Sequence, residues 1–275
     1  MSETAYWVWL QCALGEGAAV QPLLEEFGSA KAVYDANIME WRMTPALTKY
    51  QVQHLESTPL SAADKVLSTC KQQGWQILPY DHPDYPRLLR DLPDPPLVLY
   101  VDGTVPDWNR QLTLGIVGTR QASAYAVQVC DIMAKGVAGA GALVVSGGAL
   151  GIDSTACKGA MLAGGTTVAV LGCGLGTRYL IQNEPLRAEI RSHGALVTEF
   201  RPFTPAGKHT FPFRNRLISG MSEGLLVVEA GSHSGSLITA RCALEQGRDV
   251  YAVPGSVLST DFAGTNDLIN DGAYV

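Results

Sequence analysis

The sequence predicts an α/β fold: a doubly wound, mostly parallel sheet with a small helical N-terminal domain. Three observations predict it. From residue 112 onward, continuously apolar runs alternate with helical stretches. Of the 29 glycines, 24 fall in residues 111–275. The first 110 residues read instead as short helices followed by a proline-rich run. Unbroken apolar runs are what parallel strands need when both their faces are covered by helices. Glycine concentrates where turns take positive φ or where a ligand approaches the main chain. Together these features describe an extended Rossmann-type sheet.

The elements follow in order. Residues 1–60 form the helical domain. Leu10, Leu14, Val20, Leu23, Leu24 and Phe27 lie on a helical stripe that Gly28 closes as the C′ residue, and Ser29 is placed to cap the next helix. The turn Gly15-Glu-Gly17 admits two readings. It is either a helix-hairpin-helix element offering backbone N–H groups to a DNA phosphate or a tight turn inside a small bundle. Residues 61–110 form a connecting segment. Pro79, Pro83, Pro86, Pro93, Pro95, Pro96 and Pro106 make it extended, with Leu97–Tyr100 as a short strand. Within residues 111–275 the expected strands are 112–117, 142–145, 167–171, 195–198, 225–228 and 250–253. Helices are expected over 124–137, 154–162, 185–192 and 237–246.

Composition narrows the function classes. The 275 residues are 47% hydrophobic, which excludes a disordered chain, yet no stretch nears the ~18–20 apolar residues of a membrane span. Glu3 stands where a signal peptide needs a basic flank, so a cytoplasmic protein is expected. The six cysteines include no C-x-x-C pair and no two histidines are spaced i,i+4. Neither a metal site nor a disulfide frame is expected. The net charge of −6 argues against nucleic acid until it is resolved along the chain. Residues 1–60 carry −4 and 221–275 carry −5, whereas 178–220 carry +4. That basic island comprises Arg178, Arg187, Arg191, Arg201, Lys208, Arg214 and Arg216.

In an open α/β sheet, ligands bind beyond the carboxyl ends of the strands. The turn Gly118-Thr119-Arg120 joins backbone donors to a fixed cation, an anion site. Ser146-Gly147-Gly148 opens a second turn running to Gly151 and Asp153, where Asp153 can cap the following helix. Gly172–Thr177 resembles a dinucleotide fingerprint but ends in Thr177 and lacks the acid about 20 residues on, so no nicotinamide cofactor is expected. The segment Lys208 to Arg216 sits just before an expected helix and combines Lys208, Phe211, Phe213, Arg214, Asn215 and Arg216. Cations that meet phosphates and rings that stack bases suit single-stranded nucleic acid. Ser234-Gly235-Ser236 is another candidate anion cradle, and Glu229 at the preceding strand end could orient a basic neighbour. No nucleophile can be assembled with a base, so no catalytic residues are assigned.

Five motifs in order resemble the DNA-processing protein A (Smf) family. They are Gly118–Arg120, Ser146–Asp153, Phe211–Gly220, Ser234–Ala240, and Pro254-Gly255 with Asn266–Ala273. Thr119 replaces a frequent serine and keeps the hydroxyl. The resemblance also takes Leu23–Ser29 into a sterile-alpha-motif-like domain. It implies an extended Rossmann fold that binds single-stranded DNA without catalysis. It further implies homodimerisation, and loading of RecA recombinase onto DNA taken up in natural transformation. The family's positive pocket maps onto Arg120, Lys208, Arg214 and Arg216, with Phe211 or Phe213 to stack a base. Many members continue into a C-terminal winged helix; the sequence stops at Val275, and no function of that domain is expected of it.

The alternative is a nucleotide-binding or nucleotide-hydrolysing Rossmann enzyme of the lysine-decarboxylase-like type. Such enzymes carry a Pro-Gly-Gly-x-Gly-Thr turn with a catalytic Glu. The nearest element is Ser146–Gly151, and an enzymatic role would have to rest on Asp153 or Glu229.

Overall fold

The computed structural model describes residues 2–275. Six helices come first: α1 (Glu3–Leu14), α2 (Val20–Phe27), α3 (Ala30–Asp35), α4 (Ile38–Met43), α5 (Lys49–Ser57) and α6 (Ser61–Gln73). The stripe from Leu10 to Phe27 is therefore two helices, broken at Gly15–Ala19. Gly28 ends α2 in the left-handed region at φ 81°, and the Ser29 side chain accepts from the Ala32 N–H to cap α3. Such a cap contributes about 1 kcal/mol. Trp7, Val8, Trp9 and Leu10 are buried, which makes α1 the central helix of this bundle.

Residues 61–110 do more than connect. They supply α6, β1 (Gln76–Pro79), the short α7 (Arg87–Arg90) and β2 (Val98–Gly103). β1 pairs antiparallel with β2, and β2 pairs antiparallel with β6 (Gly194–Thr198). The proline-rich run is thus built into the sheet. Proline is tolerated there because Pro79 ends an edge strand, where its missing donor interrupts no second ladder.

The remaining strands are β3 (Thr113–Val117), β4 (Leu143–Ser146), β5 (Thr167–Val170), β7 (Gly224–Val227) and β8 (Asp249–Ala252). The sheet order is β1-β2-β6-β5-β4-β3-β7-β8, with the six strands from β6 to β8 parallel. The chain steps outward from β3 to β6, then returns to the other side of β3. The topological switch point is therefore between β3 and β7. Helices α8 (Ala124–Gly139), α9 (Ile152–Leu162), α10 (Glu184–His193), α11 (Thr210–Gly220), α12 (Ser236–Glu245) and α13 (Ala263–Asn270) cover both faces. Successive strand residues enter opposite cores. Ile116, Val144 and Leu226 pack with α8 and α9, while Val117, Val145, Leu225 and Val227 pack with α11 and α12. Among the described residues, no helix is long and apolar enough to cross a membrane.

Candidate nucleic-acid interface

A cleft of ≈510 Å³ opens at the carboxyl ends of β3, β4 and β7, where the switch-point rule places a ligand. Its wall includes Gly118, Thr119, Arg120, Asp153, Phe211, Arg214, Asn215 and Ser234 to Ser236.

The arginine turn after β3 is held from below. The Thr119 N–H donates to the Glu229 carbonyl (2.8 Å), and the Thr119 carbonyl accepts from the Ile152 N–H (3.1 Å). A Cβ on Gly118 would sit 2.6 Å from Ile152 Cγ1, so only glycine lets β3 approach α9 this closely. Gly151, at φ 73°, leaves no room for a Cβ against the Thr119 carbonyl. Ser123 caps α8 and donates its hydroxyl to Glu229 Oε2 (2.6 Å), which also accepts the Ser123 N–H (3.0 Å). Glu229 therefore fixes the far end of the turn through a serine, not through the basic neighbour expected from sequence. Arg120 itself is exposed, with its guanidinium carbon 5.6 Å from the Phe211 ring centre. Phe211 in turn lies 5.0 Å from the Tyr179 ring.

The glycine turn after β4 faces inward. Ser146 is fully buried and donates to the Ile116 carbonyl (2.6 Å), so the structure removes it from the cleft. Gly147 and Gly148 are also buried, and they line a small inner cavity, not the main cleft. A Cβ on Gly147 would fall 2.5 Å from Asp153 Oδ2 and 2.7 Å from Arg214 Nη1. The glycine thus leaves the space that the Asp153 carboxylate and the Arg214 guanidinium occupy against the turn. Asp153 lies inside α9, beyond the Gly151 cap position, and accepts from the Ala149 N–H (3.3 Å). Burial raises its pKa against the pull of Arg214. Burial likewise lowers that of Arg214, with Asp153 opposing the shift.

The motif expected just before a helix forms the first turns of α11, which begins at Thr210. Helical geometry then separates its residues, because positions two apart differ by about 200° around the axis. Phe211 and Arg214 face the cleft. Arg214 is 5% exposed; its Nη1 donates to the Gly147 carbonyl (2.7 Å) and to the Val170 carbonyl. Phe213 and Arg216 face the helical domain. Arg216 reaches Glu199 Oε2 at 2.7 Å and Asp94 Oδ2 at 2.8 Å, and its guanidinium carbon lies 4.2 Å from the Phe213 ring centre. Phe213 packs against Phe200 and fills the space above Gly17. Both side chains are withdrawn from the cleft where sequence reading had placed them. The Gly15–Gly17 turn is closed by Phe213 and by a Glu16–Arg201 pair at 3.6 Å.

Asn215 is buried and donates to the Gly235 carbonyl (3.2 Å), so it positions the Ser234–Ser236 turn. The two serine hydroxyls are 2.8 Å apart at the start of α12 and line the cleft. Lys208 is exposed in the turn ahead of α11 and lies outside the cleft wall. Sequence reasoning left out Tyr179 and counted Arg187 only in the basic island, without placing it at the site; both come from the segment after β5. The usable signal was positional: that segment also leaves a parallel strand at its carboxyl end.

Ion pairing sorts the basic island. Arg187, Arg191, Arg201 and Arg216 each have a carboxylate within 4 Å. Among the described residues, Arg120, Arg178, Lys208 and Arg214 have none. No group of three or more His, Cys, Asp or Glu is placed to hold a metal among the described residues.

The sequence profile of the family described as DNA recombination-mediator protein A matches residues 76–275. The chain is 40% identical over 209 residues to the DNA processing protein DprA of Bacillus subtilis, covering 76% of this chain and 70% of that protein. It is 40% identical over 230 residues to the protein Smf of Escherichia coli, covering 83% of this chain but 61% of that one. The crystal structure of DNA processing protein A from Streptococcus pneumoniae superposes with a TM-score of 0.85 at 27% identity, covering 100% of this chain and 94% of that chain. A Helicobacter pylori DNA processing protein A, solved for its single-stranded DNA binding mode, gives a TM-score of 0.67 at 30% identity, over 73% of this chain and 89% of that one. With the profile covering most of its length and relatives at 40% identity, the chain belongs to the DNA recombination-mediator protein A family.

Proposed function

We propose that this chain is a single-stranded DNA-binding recombination mediator that protects incoming strands and loads RecA recombinase onto them during natural transformation. The observation that carries the reading is the Arg120 cleft. Arg120 and Arg214, neither with a carboxylate within 4 Å, share it with Asp153, the Ser234–Ser236 turn and the Phe211 ring. Phosphates would meet the guanidinium groups and the backbone donors of the turns, while a base lies on the ring. Lys208, exposed just outside, extends the positive field along the strand. The single-strand binding described for the Helicobacter pylori relative supports the same ligand. The family's description as a recombination mediator supports transfer of the strand to a recombinase, and the expected homodimer would present two clefts to one strand.

The carboxylates that a nucleotide hydrolase would need are already engaged: Asp153 at the Ala149 N–H and Glu229 at Ser123. That arrangement supports binding over turnover.

Fluorescence anisotropy with labelled oligothymidylate across a salt series tests the reading. Affinity should fall steeply with salt and vary little with base sequence. Arg120→Ala should weaken binding roughly tenfold and flatten the log–log salt slope by about 0.7, the loss of one phosphate contact to a single strand. Affinity indifferent to salt, or untouched in an Arg120→Ala/Lys208→Ala double variant, would sink it.

A further inference from the structure

Behind Phe211 lies the inner cavity of ≈10 Å³, room for about one water molecule. It shares Arg120, Phe211 and Arg214 with the first cleft. On its other side it shares Leu171, Tyr179 and Arg187 with a second cleft of ≈640 Å³, which runs between the segment after β5 and α10. The three spaces form one series, narrowest where Phe211 and Tyr179 meet.

Two features mark the narrow point. Arg187 is 6% exposed and Arg214 is 5% exposed; each has a partner at Nη1, Glu184 at 3.9 Å and the Gly147 carbonyl at 2.7 Å, and each keeps a buried Nε–H with no hydrogen-bond acceptor, as Arg201, Arg216 and Arg248 do elsewhere. Tyr179 and Leu180 form the wall between the spaces. Leu180 is the single non-glycine residue at positive φ among the described residues, at φ 49° and ψ 60°. That conformation is disfavoured for an L-residue, and moving this short strap would relieve it.

The second cleft has the same chemistry as the first. Arg178 is exposed and has no carboxylate within 4 Å. Trp75 and Tyr179 offer rings. Its two acids, Asp102 and Glu184, are answered by Arg191 at 3.6 and 2.6 Å.

We infer that the second cleft is a further subsite for a single nucleic-acid strand. It is joined to the first by a phosphate bound between Arg187 and Arg214, with the following nucleotides against Arg178 and Trp75. The cavity as it stands is too small for a phosphate, so the Tyr179–Leu180 strap moves aside when the strand passes. This inference rests on the single-strand reading of the Arg120 cleft.

The test uses the full chain and oligothymidylates of about 4 and about 12 nucleotides, the span of typical single-strand sites. The wild-type chain should bind the longer strand more tightly by roughly tenfold. Arg178→Ala, an exposed change, should remove most of that gain and reduce the salt slope for the longer strand by about 0.7, leaving the shorter strand unaffected. Arg187→Lys, which keeps the charge but lacks the planar fork, should act in the same direction at unchanged melting temperature. If both variants shift the two lengths equally, or neither variant shifts either, the subsite is overturned and the first cleft stands. If the wild-type chain binds neither length, both readings fall together.

Discussion

The two faces of α11 put similar residues to opposite uses. Phe211 and Arg214 face the cleft, and Phe213 and Arg216, two positions further on, face the helical domain. On the cleft side the guanidinium is held by the carbonyls of Gly147 and Val170, with the Asp153 carboxylate nearby but not within 4 Å. On the domain side the guanidinium closes on Glu199 and Asp94, and its ring partner covers Gly17. A cation held by carbonyls stays available to an anion. One held by two carboxylates is an internal tie. Cation density in a segment therefore measures neither how many charges reach solvent nor where they point.

The largest effect that tests this contrast is on stability. Arg216→Ala strands Glu199 in a buried site and should cost about 3–5 kcal/mol, read from denaturant unfolding. The folded fraction should bind oligonucleotide as before. Loss of binding at unchanged stability would place Arg216 in the interface after all.

The rings give a smaller effect of the opposite kind. Phe211→Leu should weaken oligothymidylate binding by about 1–3 kcal/mol, roughly tenfold in Kd, through lost stacking. Phe213→Leu should lower the melting temperature and leave Kd alone. Equal effects of the two changes on Kd would erase the distinction between the faces.

A third effect is a pH dependence. Burial pushes the Glu199 carboxyl up to about 7 against the pull of Arg216. The folded chain then holds this proton between about pH 4.5 and 7 while the unfolded chain releases it. Its contribution to stability is complete below that window and declines as pH rises through it. Unfolding midpoints of the wild type and Glu199→Gln, compared at about pH 5 and about pH 8, should show a larger decline for the wild type. Parallel declines would mean that the carboxyl is ionised throughout.

Much of the parallel sheet was legible because its signal is local. The run 167–171 becomes β5 at Thr167–Val170, and 195–198 becomes β6 at Gly194–Thr198. Of the antiparallel extension, only the strand expected at Leu97–Tyr100 was legible, as part of β2; β1 and the pairing were not. β1 and β2 exist through pairings such as Gln76 with Val101 and Tyr100 with Thr198, which join positions far apart in the chain. At the site, the glycine turns stood out because a positive φ or a close backbone approach leaves a residue signature, as at Gly151. Arg187 stood out only as one cation of the basic island and Tyr179 not at all, since a helix residue and a loop residue meet there only after β5 and α10 have packed.

The overall −6 and the basic island show where sequence stops. By itself the sequence determined the fold class, the order of the strands along the chain, the glycine turns at their ends and the family motifs. All of these depend on residues close in sequence, whose backbone preferences and apolar period act over a few positions. Tertiary structure alone decided which arginines remain available. Their partners come from elsewhere: Glu16 for Arg201, Asp94 and Glu199 for Arg216, Asp102 for Arg191. An ion pair is a matter of distance in space, and only folding brings those charges within 4 Å of one another.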